Sequence, residues 1–453
     1  MTIQFHPRRE GVVRSFLVLA LFAFAVTAAA ANINEIVVCS GTPGAGQFST
    51  INAALAAAVA DPSYTPGSQI NINITGTCTE WVKILNLSNV TLMGPQTAPQ
   101  VILNQPQTGT DPNGPEYGPA LEIRNSNTIS IQNINFIGPG AALPNSSPLA
   151  EVGGSNVVSF AACNFSGATG SGIDVNSSQI TVNGPSTIQN NTQQGINIAG
   201  ASNVTAGGWN DTSQVTIRRN GQNGIAMSYG GYLFLYNYVT LTENGTPANG
   251  NSSGLEMTGS AALLCCGPGP YLDKNVGWGL DAEQLASVII VGGNGTPALS
   301  LSNNTMGGIN DVDSWVGIYN AATIQSNGDH TQTNPLGGIN VLSNGSLQLF
   351  GATVQNNYGP GVLVSQSSSA QLGQGGTGPT TITGNTGSGV YVQVNASVEF
   401  EGPGTTLTGN TPKDLTCAAA GIAAEDTGQT PTIGKMNCDK LFDLPVRKHK
   451  KNK

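Results

Sequence analysis

The feature that most constrains this chain is a recurrence in which an aliphatic residue stands three positions before an asparagine, at a mean interval of about 27 residues. The closing asparagines are Asn191, Asn220, Asn244, Asn275, Asn304, Asn327, Asn357, Asn385 and Asn410. Ahead of them stand Ile188, Ile217, Leu241, Leu272, Leu301, Ile324, Val354, Ile382 and Leu407. One position earlier still lies a hydroxyl in every case: Thr187, Thr216, Thr240, Tyr271, Ser300, Thr323, Thr353, Thr381 and Thr406. Neighbouring strand residues face opposite ways, so the aliphatic column points into a core and the hydroxyl column points out. A helical repeat would bring its apolar positions back at three- and four-residue steps rather than two. The pattern therefore predicts an all-β chain, one solenoid of stacked strands.

Side-chain amides one rung apart can donate and accept in a continuous ladder, which gives the asparagine column a structural job. Gly172, Gly195, Gly224, Gly254, Gly279, Gly308, Gly338, Gly361 and Gly389 open the units. They are expected there because the corner needs a positive φ or a close approach of two backbones. Before the clear rungs, Ser49 or Thr50 in FSTINAALAAAVA can cap a short Ala-rich helix over the open end of the stack. The expected organisation is a signal peptide over 1–31, an N-terminal cap and first rungs over 32–95, the β-helix over 96–415, a C-terminal cap segment over 416–446, and a basic disordered tail over 447–453.

The signal assignment rests on Arg8, Arg9 and Arg14 ahead of SFLVLALFAFAV and then a run of small residues. That apolar run is shorter than the ~20 residues a spanning helix needs, so export, and no insertion into a membrane, is expected. The formal charge is −9; residues 1–31 carry three Arg and one Glu, net +2, leaving −11 for the rest. A body of that sign repels nucleic acid and anionic membranes, so neither is expected as a partner. All seven Cys lie beyond the expected cut. Cys417 with Cys438 and Cys39 with Cys78 are the expected disulfides in an oxidising destination. Cys265 and Cys266 are expected to be reduced and buried rather than joined. No CxxC pair or Cys/His cluster points to zinc, and no cofactor or metal is expected.

The repeat resembles the right-handed parallel β-helix, or pectin-lyase-like, superfamily over nearly the whole of the chain beyond residue 31. FSTINAALAAA is similar to that family's opening cap helix, and GTCTEW to its Gly-x-x-x-Glu first rung. The resemblance implies the fold. It implies activity only broadly, since the superfamily holds lyases, hydrolases, esterases, epimerases, adhesins and proteins without catalysis. Of the polygalacturonase signatures only Asp174, in GSGIDV, is present, and the esterase words QDTL and DFIFG are absent. The lyase pattern would need clustered calcium carboxylates beside an Arg base, and no motif places Arg218 or Arg219 beside such a cluster.

One candidate comes from the position two after each opening glycine, which reads Asp174, Asn197, Ala226, Glu256, Asp281, Asn310, Asn340, Leu363 and Tyr391. Equal positions in adjacent rungs lie ~4.8 Å apart. Glu256 and Asp281 are thus expected as near neighbours, close to the ~5–5.5 Å of retaining glycosidase pairs, with one pKa raised by like-charge crowding. They are the candidate catalytic residues, with Asp174, Arg218, Trp278 and Trp315 as candidate substrate contacts. Three readings of the acids stay open: catalysis, calcium shared with Asp313, and plain solvation on an exposed face. The two tryptophans serve equally as sugar-stacking faces or as packing under a loop. Asp311 falls in the inward column: either it is a perturbed functional acid, or, as is expected, the register shifts there and Gly317-Ile318-Tyr319 forms the strand instead. His330, in the loop SNGDHTQTNPL, is expected to be exposed and idle. Taken together, the expectation is a secreted protein, in the medium, the periplasm or at the cell surface, that binds extracellular or cell-wall polysaccharide, with its cleavage left open. The rival is a non-catalytic surface scaffold or adhesin.

Overall fold

The computed structural model describes residues 30–444 except 98–99, 112–113, 141–145, 209–211, 248–251, 266, 293–298, 332–335, 374–377, 402–403, 427–429 and 439–440. The expected signal peptide, apart from its last two residues, and the basic tail lie outside the described residues.

One rung shows how the sequence makes the fold. Ile173–Asn176, Gln179–Asn183 and Ser186–Gln189 are three short strands, one in each of three sheets. The next rung, Ile196–Ala199, Asn203–Ala206 and Val215–Arg218, lies parallel beside them, with Ile173 opposite Ile196, Ile180 opposite Val204 and Ile188 opposite Ile217. Repetition builds parallel sheets of 13, 17 and 14 strands, here sheets 1, 2 and 3 in the order one rung visits them. The chain is a right-handed parallel β-helix. No described helix is long and apolar enough to cross a membrane.

The aliphatic column from Ile188 to Leu407 is fully buried at every rung. Each such side chain contributes roughly 1.5–3 kcal/mol on leaving water. Just before the ladder, the chain turns through a left-handed residue, as at Asn190 (φ 54°), Glu243 (φ 56°) and Lys274 (φ 55°). Each ladder amide then donates to the Oδ1 of the next, at 2.9 Å from Asn191 to Asn220 and 2.8 Å from Asn385 to Asn410. The same Oδ1 also accepts the backbone N–H of the previous asparagine, as Asn244 does from Asn220 at 3.3 Å. Of the two reasons expected for the opening glycines, close approach is the operative one, and φ is not positive at any of them. A Cβ on Gly195 would lie 2.5 Å from the carbonyl oxygen of Gly224 and 2.9 Å from the Asn220 amide nitrogen.

A second ladder, made by hydroxyls, runs along the corner between sheets 1 and 2. Ser155 Oγ accepts from the N–H of Ser126 at 3.1 Å, and Ser178 Oγ accepts from that of Ser155 at 3.0 Å. At the N-terminal end the helix Ile51–Ala60 is capped by Thr50, whose hydroxyl accepts from Ala53 at 3.2 Å. Glu80 accepts the free N–H of Ile51 at 2.7 Å, so the Glu of GTCTEW ties the cap helix to the first rung. Cys39 is joined to Cys78 and Cys417 to Cys438. Cys163 is free and buried. Cys265 is disulfide-bonded, which corrects the expectation that it is reduced; residue 266 lies outside the described residues.

The register at Asp311 also differs from expectation. Gly307–Val312 and Trp315–Tyr319 are both strands, in sheets 1 and 2, and Asp311 faces inward between Ala282 and Val341 with no exposure. Its carboxyl is accommodated because Ser314 Oγ donates to its Oδ1 and because its neighbours are small. A Cβ on Gly345 would come within 3.2 Å of the Asp311 Cγ. Burial pushes this acid up to about 7, against the hydrogen bonds from Ser314 and the Ser346 backbone.

Candidate functional site

Sheet 1 carries the site. Because its strands pair without a register shift, the outward column runs Lys83, Glu122, Glu151, Asp174, Asn197, Ala226, Glu256, Asp281, Asn310, Asn340, Leu363, Tyr391 and Thr416, each opposite the next. Glu122 and Glu151 share one cation, Arg124, whose nitrogens lie 2.5 and 2.6 Å from them. Among the described residues, Asp174, Glu256 and Asp281 form no ion pair.

Glu256 and Asp281 are brought together as adjacent members of this column. Only 8% of Asp281 is exposed. Burial, then the charges of Glu283 and Glu256, push its carboxyl up to about 7, although the Asn310 amide donates to Oδ1 at 2.9 Å. Burial and the charge of Glu283 also raise Glu256, whose Oε2 accepts from the Asn223 amide. Glu283, two residues after Asp281 on the strand Trp278–Glu283, thus acts on both acids; its part was not read from the sequence. Asp174 lies three rungs away, about 14 Å along the axis. It is raised mainly by burial, and its Oδ1 has no hydrogen-bond partner.

Trp278 is both a packing residue and a wall of a pocket. It is 4% exposed and packed over Gly307, where a Cβ would lie 2.1 Å from the ring. It also walls a pocket of about 260 Å³ shared with Asp281, Glu283, Asn310, Asn340, Leu336 and Leu342. Trp315 and Arg218 are not brought to this pocket. The corner at Asp313 and Ser314 carries Trp315 onto sheet 2, where its ring covers Gly317. Arg218 stands on sheet 3, where its Nε donates to Gln189 at 2.9 Å. Asp313 turns that same corner with φ 50°. Among the described residues, the acids and Asp313 form no set of ligand atoms close enough to share a cation; the one such set holds Cys39, Cys78 and Glu80, with both thiols in a disulfide.

Farther along the same face, a wider cavity of about 1090 Å³ is lined by Tyr358, Leu363, Tyr391, Lys413 and Thr416. Leu336 lines both spaces. His330, exposed as expected, packs its ring 5.5 Å from that of Tyr358 at the wider cavity's edge. From Asp281 to Thr416 the column advances five rungs, about 24 Å. The two cavities thus follow one another along the outward face and meet at Leu336; Asp281 lines the smaller one, and Glu256 lines neither.

No protein-family model and no curated protein matches this chain. Among solved structures it is similar to the A-module of mannuronan C-5 epimerase AlgE6 from Azotobacter vinelandii, at 14% identity over 87% of this chain and 94% of that one, with a TM-score of 0.45. It is similar to pectate lyase Pel9A at 14% identity over 87% and 81%, with a TM-score of 0.32. It is also similar to the Dettilon tailspike protein, at 12% identity over 86% and 68%, with a TM-score of 0.41.

Proposed function

We propose that this is a secreted protein that binds an extended polysaccharide along the outward face of sheet 1 and hydrolyses it at Asp281 and Glu256. The observation that carries the reading is a pair of carboxyl groups on adjacent rungs, one of which, Asp281, lines the groove and is pushed up to about 7, mainly by burial. A carboxyl of that kind holds a proton at working pH and delivers it to a glycosidic oxygen as the bond breaks. Asp281 is the proton donor. Glu256, the less strongly perturbed of the two, is the carboxylate that attacks the anomeric carbon; rung spacing of ~4.8 Å fits a retaining arrangement. Two disulfides and the N-terminal Arg-apolar-Ala pattern support an extracellular setting.

One observation favours the rival, a non-catalytic scaffold or adhesin. Both acids accept from asparagine amides, as the purely structural Asp414 does from Asn410. Incubation with neutral and acidic polysaccharides, assayed for reducing ends and for unsaturated uronate, separates the two. Hydrolysis that disappears in Asp281→Asn and Glu256→Gln, with melting temperature retained, supports the proposal. Turnover untouched by both substitutions moves the chemistry elsewhere, and binding without turnover leaves the scaffold.

A further inference from the structure

The amide of Asn340 is a polar group without a protein partner. The residue has no exposure, and neither its Oδ1 nor its Nδ2 makes a hydrogen bond. Such a group is rare in a folded interior and costs about 1–3 kcal/mol. Ladder asparagines such as Asn304, Asn327 and Asn357 have both amide atoms satisfied. Other buried polar atoms lack a partner, Asp174 Oδ1 and Asp311 Oδ2 among them, but Asn340 lacks one at both of its amide atoms. Asn340 lines the pocket beside Asp281, two rungs along the outward column.

The rest of that pocket describes what could satisfy it. Trp278, Leu336 and Leu342 give apolar walls, and Asp281 and Glu283 are its ionisable groups; among the described residues, no Lys, Arg or His lines it. An apolar wall with a paired donor and acceptor suits a sugar ring, with its C–H faces and adjacent hydroxyls. The two carboxyl groups, without a cation, disfavour an anionic ring. We infer that Asn340 seats one uncharged sugar unit of the polysaccharide, its Nδ2 donating to one ring hydroxyl and its Oδ1 accepting from the neighbouring one. This rests on the groove reading above and adds to it the class of substrate: a neutral glycan.

The test uses the full-length secreted protein and calorimetric titration with gluco-, manno- and xylo-hexasaccharides and with hexagalacturonate. Wild type is expected to bind a neutral hexasaccharide and to ignore hexagalacturonate. Asn340→Leu is expected to weaken that binding about tenfold or more while its melting temperature holds or rises, because it removes an unsatisfied group. Asn304→Leu, which breaks the ladder, supplies the contrasting case of a structural asparagine and lowers the melting temperature. Neutral binding unchanged in Asn340→Leu, or a melting temperature that drops as far as in Asn304→Leu, overturns the inference and leaves the groove standing. Preferential binding of hexagalacturonate overturns the substrate class. No binding of either class by wild type removes the groove reading together with the inference.

Discussion

Asn410 donates its side-chain amide to Oδ1 of Asp414 at 2.9 Å, and its backbone N–H reaches the same oxygen at 2.9 Å. Asp414 thus stands where the next asparagine of the ladder would be. Its other oxygen accepts from the N–H of Lys435 at 2.7 Å, so one carboxylate closes the amide column and fastens the C-terminal segment to it. A carboxylate is suited to this because it accepts on every side and needs no donor to satisfy it in turn.

Asp414→Ala leaves three N–H donors unpaired at the end of the stack, and a loss of several kcal/mol is expected at about 1–3 kcal/mol each. Asp414→Asn keeps one acceptor and loses less. Burial alone would raise this acid, but the N–H groups of Asn410 and Lys435, the Asn410 amide and the Lys435 charge together hold it below the usual carboxylate range. A folded-state pKa below the unfolded one contributes stability that is present at neutral pH and lost on acidification below about pH 4. Urea unfolding of wild type and Asp414→Asn between pH 3 and pH 6 checks this; curves that stay parallel across that range would count against it.

Asp311 has the opposite sign. Its carboxyl, pushed up to about 7 inside the core, is neutral in the fold and ionised in the unfolded chain above about pH 4. Stability is therefore untaxed below about pH 4 and declines as pH rises to about 7, where a shift of about three units amounts to something of the order of 4 kcal/mol. Asp281 adds a decline in the same window. Asp311→Asn is expected to raise the melting temperature at pH 7.5 more than at pH 4.5 and to flatten, not abolish, the slope between them. An equal shift at both values would show that the acid does not titrate where burial places it.

The contrast between these two aspartates shows what was legible in the chain. The buried column from Ile188 to Leu407 could be read because strand alternation repeats at a constant offset from each asparagine. The pairing of Glu256 with Asp281 followed from the same offset, measured from Gly254 and Gly279. Trp315 could not be placed that way, since a single left-handed residue at Asp313 decides which sheet it joins. The tolerance of Asp311 depends on the absent side chain of Gly345, which stacking alone brings near. Asp414 carried a usable signal, an acid just after the last asparagine of the column. The orphaned amide of Asn340 carried none, because what a side chain lacks appears only once its neighbours are in place.

Trp278 over Gly307 yields a test of the pocket wall that leaves the acids untouched. A methyl at residue 307 would sit 2.1 Å from the Cζ3 of Trp278 and 2.9 Å from the carbonyl oxygen of Gly337, so the buried ring and the backbone both have to shift. Gly307→Ala is expected to cost about 1–3 kcal/mol, to change the near-ultraviolet dichroism and fluorescence of Trp278, and to weaken hexasaccharide binding. Trp278→Phe, a smaller ring, when combined with it relieves the part of the clash made by the ring and leaves the contact with the Gly337 carbonyl. If Gly307→Ala binds like wild type while the Trp278 signal changes, the ring is packing alone and takes no part in the pocket.

The pH profile of hydrolysis follows from the assignment of Asp281. As the proton donor it must be protonated, so kcat/KM falls as pH rises through about 7. The attacking Glu256 must be ionised, and its carboxyl lies above the ordinary value with burial as the main cause, which sets an acid limb below the basic one. The two limbs belong to a coupled pair that also feels Glu283. Removing that third charge with Glu283→Gln is expected to move both limbs to lower pH without removing activity. Asn310→Leu deletes the donor that favours ionised Asp281, so the basic limb is expected to move up. Rates measured from pH 3 to pH 9 on wild type and both variants decide it. A basic limb that stays fixed in both would assign the titrating proton to some other group.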